Sequence, residues 1–221
     1  MYEYATQGSL DGYFNDAGMR ARLPADKRLS IMYELARAVH FLHSGGCDDW
    51  KVFHRDIKSA NICLAEDFTA RLIDCGLAKF VPDENNASPS DSIIQTGPTE
   101  GPTFGTRGYM CPEYIMNQEL RMPRPYIAGY DVYSIGVVMA ELILGRLNCG
   151  TTNVLQAYVT AGDAPIVDGW EKLERHADAQ VIWNPNALQL VCQTALQCIT
   201  LASQGRLSTE DLLSRLIKAV N

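Results

Sequence analysis

The stretch that decides the fold is His54-Arg55-Asp56-Ile57-Lys58-Ser59-Ala60-Asn61-Ile62-Cys63-Leu64. In it, the carboxylate of Asp56 can accept a proton, and the ammonium group of Lys58 can stabilise a negative charge beside it. The side-chain oxygen of Asn61 can ligate a hard metal ion such as magnesium. A charged surface turn is the alternative for the first three letters alone. The full stretch instead favours a site of acid–base and metal chemistry.

Two short apolar runs follow, Ile62-Cys63-Leu64 and Arg71-Leu72-Ile73, on either side of Glu66-Asp67. They predict the two strands of a hairpin, with the turn between them. Asn61 then lies at the start of the first strand and Asp74 directly after the second, so their side chains should emerge on the same side. Two oxygen ligands in that arrangement can hold a magnesium ion against a phosphate.

The composition is that of a soluble globular protein, with 221 residues, 47% hydrophobic and 20% charged. The net charge of −7 argues against a nucleic-acid partner and an anionic membrane surface. Seven cysteines without a Cys-x-x-Cys pair predict reduced thiols in a cytoplasmic protein. We see no signal peptide, and the most apolar segment, residues 132–144, is too short to span a bilayer.

Helical patterning covers most of the remaining chain. An apolar stripe predicts a helix over residues 24–44, and residues 131–146 are apolar on nearly every face, as in a helix that is buried all round. Ser208 begins the final helix as a cap. The side chains expected to face inward from that helix are Leu212, Leu213, Leu216, Ile217 and Val220.

Four motifs in this order resemble those of a protein kinase. His-Arg-Asp followed by Asn61 matches the catalytic loop. Asp74-Cys75-Gly76 stands where Asp-Phe-Gly is usual, with Asp74 18 residues after Asp56. The other two motifs are Cys111-Pro112-Glu113, in place of Ala-Pro-Glu, and Asp131-Val132-Tyr133-Ser134, the start of the family's central helix. The resemblance is to receptor-like, Pelle and interleukin-1-receptor-associated serine/threonine kinases.

The resemblance implies a mainly α fold, the C-terminal lobe of a protein kinase. We expect a helical bundle with a small β-hairpin beside the catalytic loop, and no β-sheet of the N-terminal lobe in this chain. Residues 1–8 would form the hinge and residues 9–221 the lobe. Within the lobe, residues 54–61 would be the catalytic loop and residues 74–113 the activation segment.

The same resemblance assigns the chemistry, with ATP and Mg²⁺ as cofactors. Asp56 would orient the substrate hydroxyl and accept its proton, while Lys58 would neutralise the moving γ-phosphoryl group. Asn61 and Asp74 would hold magnesium on the ATP phosphates. Thr106 would hydrogen-bond both Asp56 and Lys58, and Lys58 together with Thr106 marks serine/threonine rather than tyrosine specificity.

The nucleotide base would bind at the hinge. The carbonyl of Glu3 and the amide of Ala5 would bond the adenine edge, and Cys63 would complete the nucleotide site with Lys58, Asn61 and Asp74. In the activation segment, Thr103 and then Thr99 are the phosphorylation candidates. Arg55 and Lys79 are the basic residues that would meet under the phosphate.

Four further residues are expected to be structural. His54 belongs to the catalytic loop, and Cys75 offers it far less volume than the usual phenylalanine. Glu113 would form a buried ion pair with Arg206. Asp131 would accept backbone N–H bonds from the catalytic loop, or serve as a helix N-cap.

These residues predict part of a serine/threonine protein kinase that signals through protein substrates, and the 221 residues alone are expected to be inactive. The alternative is a non-catalytic kinase-like binding module, decoy or scaffold. A full-length pseudokinase is a third reading, which only Cys75 supports. The implied partners are a protein substrate and an upstream receptor or adaptor. The expected location is the cytoplasm, with the cytoplasmic part of a membrane receptor as one form of it.

Overall fold

A computed structural model describes residues 5–45, 50–82, 104–120, 126–148, 160–161, 164–165, 169–200 and 205–221. The predictions on Glu3, Thr99 and Thr103 therefore lie outside the described residues. The helices are α1 (Leu10–Asn15), α2 (Ala17–Arg20), α3 (Ala25–His43), α4 (Pro112–Glu119), α5 (Ala128–Leu144), α6 (Gly169–Arg175), α7 (Pro185–Cys198) and α8 (Thr209–Val220). The strands are β1 (Trp50–Phe53), β2 (Ile62–Leu64), β3 (Ala70–Leu72), β4 (Lys79–Pro82), β5 (Thr160–Ala161) and β6 (Ala164–Pro165).

The described chain is mainly helical, as predicted, and its strands form antiparallel pairs, β1 with β4, β2 with β3 and β5 with β6. The β2–β3 pair is the hairpin predicted beside the catalytic loop, with Ile62 opposite Leu72. The second strand is one residue earlier than predicted. Nevertheless, the amide of Ile73 still donates to the Asn61 carbonyl at 2.9 Å, so the pairing continues to the segment that ends in Asp74.

Helix α5 is the centre of the lobe, because residues 130–144 are all buried and the helix packs against α3, α6 and α7. Its packing against α7 is close at Gly136, where a Cβ atom would lie 2.6 Å from the Cβ of Cys198. The helix ends at Gly145, which has φ +64°. The sequence prediction of a helix that is buried all round is therefore confirmed.

Helix α3 places its apolar stripe against α5 and α8. Its one fully buried cation is Arg28, which pairs with Asp178 at 2.7 Å and donates to the carbonyls of Leu23 and Leu142. Burial of a charge is costly unless the charge is paired and hydrogen-bonded, and here every donor group of the guanidinium has an acceptor. This network ties the start of α3 to the end of α5.

Helix α8 begins as predicted, since Ser208 Oγ accepts from the amide of Asp211 at 3.0 Å. The expectation that Ile217 and Val220 face inward is wrong, because they are 41% and 43% exposed. The buried stripe consists of Leu212, Leu216 and Ala219. Ile217 lies about 140° around the helix from Leu212, so it cannot share that face.

In the part of the chain that the structure describes, no helix has the length and apolar character needed to cross a membrane.

Candidate active site

The backbone of residues 54–56 is held by the first turns of α5. Arg55 has φ 71°, a left-handed conformation that costs a non-glycine residue about 1–2 kcal/mol. The fully buried carboxylate of Asp131 accepts from the amide of His54 at 2.9 Å and from that of Arg55 at 3.0 Å. The contact implied for Asp131 is thus present. The alternative of an N-cap is wrong, because Ile127 occupies the N-cap of α5.

The same carboxylate binds two side chains from other parts of the lobe. His43 Nε2 lies 2.8 Å from Asp131 Oδ2, and the hydroxyl of Tyr126 donates to Oδ1 at 3.0 Å. Burial raises the pKa of Asp131, but the His43 contact and the backbone N–H bonds outweigh it, so the net pKa is lowered. Asp131 therefore acts as an ionised anchor for the loop that carries Asp56.

Asp56 is 8% exposed, and its carboxylate accepts from three side chains, those of Lys58, Thr106 and Asn61. Lys58 Nζ donates to Oδ2 at 2.8 Å, and Thr106 Oγ1 donates to Oδ1 at 2.7 Å. Lys58 Nζ also donates to Thr106 Oγ1 at 2.8 Å, which closes a ring of three side chains. We call Asp56, Lys58 and Thr106 the Asp56 cluster. Both contacts that the family resemblance implies for Thr106 are present.

The electrostatics of the Asp56 cluster keep the carboxylate ionised. Burial raises the pKa of Asp56, but the hydrogen bonds from Lys58 and Thr106, the charge of Lys58 and a bond from Asn61 outweigh it. The net pKa is lowered, as expected of a carboxylate that accepts several hydrogen bonds. At neutral pH the group is an acceptor with a fixed orientation.

Asn61 and Asp74 lie at the same end of the β2–β3 hairpin. The amide nitrogen of Asn61 donates to the carbonyl of Asp56 at 2.8 Å, so the oxygen of that amide is the atom left to bind a metal ion. Asp74 is exposed, has φ 64° and accepts from the amide of Gly76 at 3.3 Å. An amide and a carboxylate oxygen fit a hard cation.

Within the described ranges, no group of three or more His, Cys, Asp or Glu side chains could hold a metal. Asn61 and Asp74 would thus supply only two protein ligands. That number suits magnesium, which usually takes one or two carboxylates and completes its coordination with phosphate and water.

His54 connects the catalytic loop to the segment that carries Asp74. Its ring is fully buried, with Nε2 3.1 Å from the carbonyl of Ile73 and Nδ1 3.4 Å from the amide of Asp56. This geometry requires the proton on Nε2, because a carbonyl can only accept and an amide N–H can only donate. Cys75 is exposed. The connection between the two segments therefore runs through the carbonyl next to Asp74.

Residues 7–9 run beside β2, at the end of the site that the family resemblance assigns to the nucleotide. The amide of Gln7 donates to the Leu64 carbonyl at 3.0 Å, and the amide of Leu64 donates to the Gly8 carbonyl at 2.8 Å. Cys63 forms an isolated bridge with Ser9, and burial raises the pKa of its thiol. Ala5 is partly buried just before this pairing.

Among the residues that the structure describes, Arg55 presents an incompletely bonded cation beside Phe104. Its guanidinium stacks 4.6 Å from the ring centroid of Phe104 and 5.5 Å from that of Tyr126. Among the described residues, its buried Nε has no hydrogen-bond partner. Lys79 lies in β4 opposite Phe53. Phe53 is two residues before Arg55 in the chain. The meeting of Arg55 and Lys79 under a phosphate stays a prediction.

Arg206 fastens the segment before α4 to α5. Its guanidinium donates to Cys111 Sγ at 2.9 Å and to the Gly129 carbonyl at 3.1 Å, and it stacks 5.3 Å from the ring of Tyr133. Arg206 thus contacts the chain two residues before Glu113, while the ion pair between Glu113 and Arg206 stays a prediction.

Sequence reasoning missed another buried carboxylate, that of Glu141, near the Asp56 cluster. It binds Ser59, Tyr109 and Asn148. The signal was present, because Glu141 interrupts an otherwise apolar helix, and a buried charge needs partners.

Comparison with known proteins agrees with this geometry. The family profile described as "Protein kinase domain" matches residues 1–216. The chain belongs to the protein kinase family. Its similar relatives are named as serine/threonine and receptor-like kinases.

Two of these relatives match nearly the whole of this kinase chain. It is 31% identical over 219 residues to the probable serine/threonine-protein kinase PBL4 of Arabidopsis thaliana, covering 98% of this chain and 48% of PBL4. It is 29% identical over 219 residues to the EPD1-interacting receptor-like cytoplasmic serine/threonine-protein kinase of Nicotiana benthamiana, covering 98% of this chain and 43% of that protein.

A third relative matches a shorter part. The chain is 38% identical over 147 residues to serine/threonine-protein kinase PBL13 of Arabidopsis thaliana, covering 66% of this chain and 26% of PBL13. This kinase chain thus spans about half, or less, of the length of these curated relatives.

Proposed function

We propose that this chain carries the catalytic loop of a serine/threonine protein kinase, which transfers the γ-phosphoryl group of ATP to a serine or threonine hydroxyl of a protein. The observation that carries the proposal is the Asp56 cluster. It places an ionised carboxylate, an ammonium group and a threonine hydroxyl in mutual hydrogen bonds of 2.7–2.8 Å.

Each member of the cluster has a distinct role. Asp56 accepts the hydrogen bond of the substrate hydroxyl and takes its proton as the oxygen–phosphorus bond forms. Lys58, held beside Asp56, neutralises charge on the transferred group. Thr106 fixes both relative to the segment that would receive the peptide. Such positioning and electrostatic stabilisation account for most of the catalysis in phosphoryl transfer.

The nucleotide would be held by the other residues assigned from the sequence. Asn61 and Asp74 would bind magnesium, which supplies positive charge on the ATP phosphates when bound. The Glu3 carbonyl and the Ala5 amide would bind adenine, with Cys63 beneath the ring. The amide of Asn61 is oriented for this role by its bonds to Asp56.

We assign residues 1–8 to the hinge, 9–221 to the C-terminal lobe, 54–61 to the catalytic loop and 74–113 to the activation segment. In kinases the glycine-rich loop, the lysine that pairs the α- and β-phosphates and its partner glutamate all precede the hinge. None of them can be assigned to these 221 residues. The isolated chain is therefore expected to be inactive.

Regulation would act through the activation segment. Phosphorylation of Thr103 or Thr99 would place a dianion near Arg55, whose stacked guanidinium retains a free donor among the described residues. Lys79 would contribute a second charge. An upstream receptor or adaptor and a cytoplasmic location agree with the receptor-like and receptor-like cytoplasmic names of the relatives.

The test joins the chain to the N-terminal lobe of a receptor-like kinase and assays it with Mg-ATP and a generic serine/threonine substrate. The fusion should phosphorylate serine and threonine but not tyrosine. Asp56→Asn should lower the rate roughly 10²–10⁴-fold. The matched control is Asp16→Asn, the same change at an exposed cap of α2.

One outcome would count against the expected inactivity of the isolated chain, and another would count against the proposed catalysis. Robust turnover by the 221 residues alone would contradict the expected inactivity. A fusion that binds substrate yet gives no turnover, whether residue 56 is Asp or Asn, would favour the alternative of a non-catalytic binding module.

A further inference from the structure

The carboxylate of Glu141, like that of Asp131, is buried outside the Asp56 cluster. Glu141 lies in the last turns of α5 and is 1% exposed. Burial raises its pKa to about 7. Placing an ionisable group in an apolar helix is unfavourable unless hydrogen bonds compensate. The partners of Glu141 are therefore informative.

Three donors from three different segments converge on this carboxylate. Ser59 Oγ donates to Oε2. The hydroxyl of Tyr109 donates to Oε1 at 2.8 Å, and the amide of Asn148 donates to the same oxygen at 2.6 Å. Each oxygen of Glu141 thus serves a different part of the chain.

The segments that Glu141 joins are those that carry the Asp56 cluster. Ser59 directly follows Lys58, and its side chain is fully buried. Tyr109 lies three residues after Thr106, and its amide donates to the Thr106 carbonyl at 3.1 Å. A displacement of either segment would change the distances between Thr106 and the two residues it contacts.

Two further bonds hold the Thr106 segment against the same region. Ser134 Oγ donates to the carbonyl of Tyr109 at 2.8 Å, and Asn148 Nδ2 donates to the carbonyl of Gly108 at 2.8 Å. Asn148 is in turn held by Glu141 through its amide. The Thr106 segment therefore rests on α5 and on the residues just after it.

We propose that Glu141 is a positioning residue, which fixes the loop that bears Asp56 and Lys58 relative to the segment that bears Thr106. It touches no substrate and acts through Ser59 and Tyr109. The significance of this role for catalysis rests on the proposed function. The positioning itself does not, and it can be tested on the chain without ATP or turnover.

The test is amide hydrogen exchange of the full 221-residue chain at pH 8, read by segment. Glu141→Ala should accelerate exchange roughly tenfold in both residues 54–61 and residues 104–111, because both lose a hydrogen bond to a charged group. Ser59→Ala should do so in the first segment alone. Tyr109→Phe should do so in the second alone.

Glu141→Gln is the conservative variant and should remain close to the wild type. Its side-chain oxygen can still accept from Tyr109 and Asn148, and the hydroxyl of Ser59 can turn to accept from the new amide. A role in stability alone would not distinguish the two segments from the rest of the lobe. The reference for such a general effect is Cys192→Ala in α7, a fully buried position.

The proposal is overturned if Glu141→Ala leaves exchange in either segment unchanged, or if it accelerates α3 and α7 as much as the two segments, in the manner of Cys192→Ala. If Glu141→Ala does not fold, the single variants at Ser59 and Tyr109 decide. Equal acceleration of both segments by either single variant would equally overturn it. The exchange experiment does not measure turnover. A negative exchange result therefore does not contradict the proposed kinase function, and a fusion without kinase activity does not affect the exchange result.

Discussion

Thr106 and Asp56 are 50 positions apart in the chain, yet Thr106 Oγ1 donates to Asp56 Oδ1 at 2.7 Å. This bond contributes to the lowered pKa of Asp56. Thr106→Val removes the hydroxyl at nearly constant volume and should raise the pKa of Asp56, because the charged form loses a hydrogen bond. The measurement is the titration of the Asp56 carboxyl carbon by NMR.

Thr106→Ser is the matched control, because it keeps the hydroxyl and should leave the Asp56 pKa near that of the wild type. The sign also fixes a stability effect. A carboxyl group whose pKa is lower in the folded state than in the unfolded state stabilises the fold at pH values above the unfolded pKa. This stabilisation is lost as the pH falls through the folded pKa. The Thr106→Val variant should therefore be less stable than the wild type at pH 6, but not at a pH low enough to protonate Asp56 in both the folded and the unfolded state. An unchanged Asp56 pKa would contradict the bond.

Asp131 should be among the costliest single positions to change. Asp131→Asn preserves shape, but it turns one acceptor oxygen into a donor facing a backbone N–H or the Tyr126 hydroxyl and removes the charge beside His43. Loss of one partner of a buried charged network costs about 3–5 kcal/mol. Urea unfolding measures this. The control is Asp16→Asn, which retains a capping side chain at an exposed helix start and should change the free energy of unfolding little. If the two variants lose similar amounts of stability, Asp131 is not an anchor.

Short-range features of this site were readable from the sequence. The two apolar runs on either side of Glu66-Asp67 predicted the β2–β3 hairpin, and the positions of Asn61 and Asp74 next to those runs predicted two oxygen ligands at one end of it. Such features can be predicted from the sequence because strand and turn geometry fixes the relative positions of residues that are close together in the chain. Asp131 was assigned through the family resemblance, and its backbone contacts are present in the structure.

Long-range features were not readable. Glu141 meets Ser59 across 82 positions and Tyr109 across 32, distances that only the packed lobe determines. The β1–β4 pair was also missed. Its first strand begins at Trp50, outside every element predicted from the sequence, and its partner begins 29 positions later at Lys79. Pairing of such short strands depends on tertiary contacts more than on propensity.

Glu141 should leave a signature in the pH dependence of stability. Its pKa is raised from 4.5 to about 7, so the folded state binds more protons than the unfolded state between those values. Stability contributed by this group is therefore present at low pH and is lost as pH rises from about 4.5 to 7, by up to about 3 kcal/mol. Asp56 and Asp131 have lowered pKa values and titrate below this window.

The measurement is the difference in unfolding free energy between the wild type and Glu141→Gln at pH 5 and pH 7.5. Gln cannot titrate, so the difference isolates the carboxyl group from the other ionisable residues. The wild type should lose stability relative to the variant as the pH rises. The difference is taken as the unfolding free energy of the wild type minus that of the variant. If this value stays constant across the range, or increases with pH, the pKa of Glu141 is not raised.

The contact between α5 and α7 gives a last prediction about packing. At Gly136 a Cβ atom would lie 2.6 Å from the Cβ of Cys198 and 2.7 Å from the Cγ2 of Ile199, so Gly136→Ala must force the two helices apart. Overpacking of this kind costs about 1–3 kcal/mol. Gly12→Ala in α1 meets nothing within 4 Å and should instead stabilise by about 0.5–1 kcal/mol through helix propensity. Thermal unfolding of the two variants should shift in opposite directions, because the same methyl group enters a filled space in one helix and open solvent in the other.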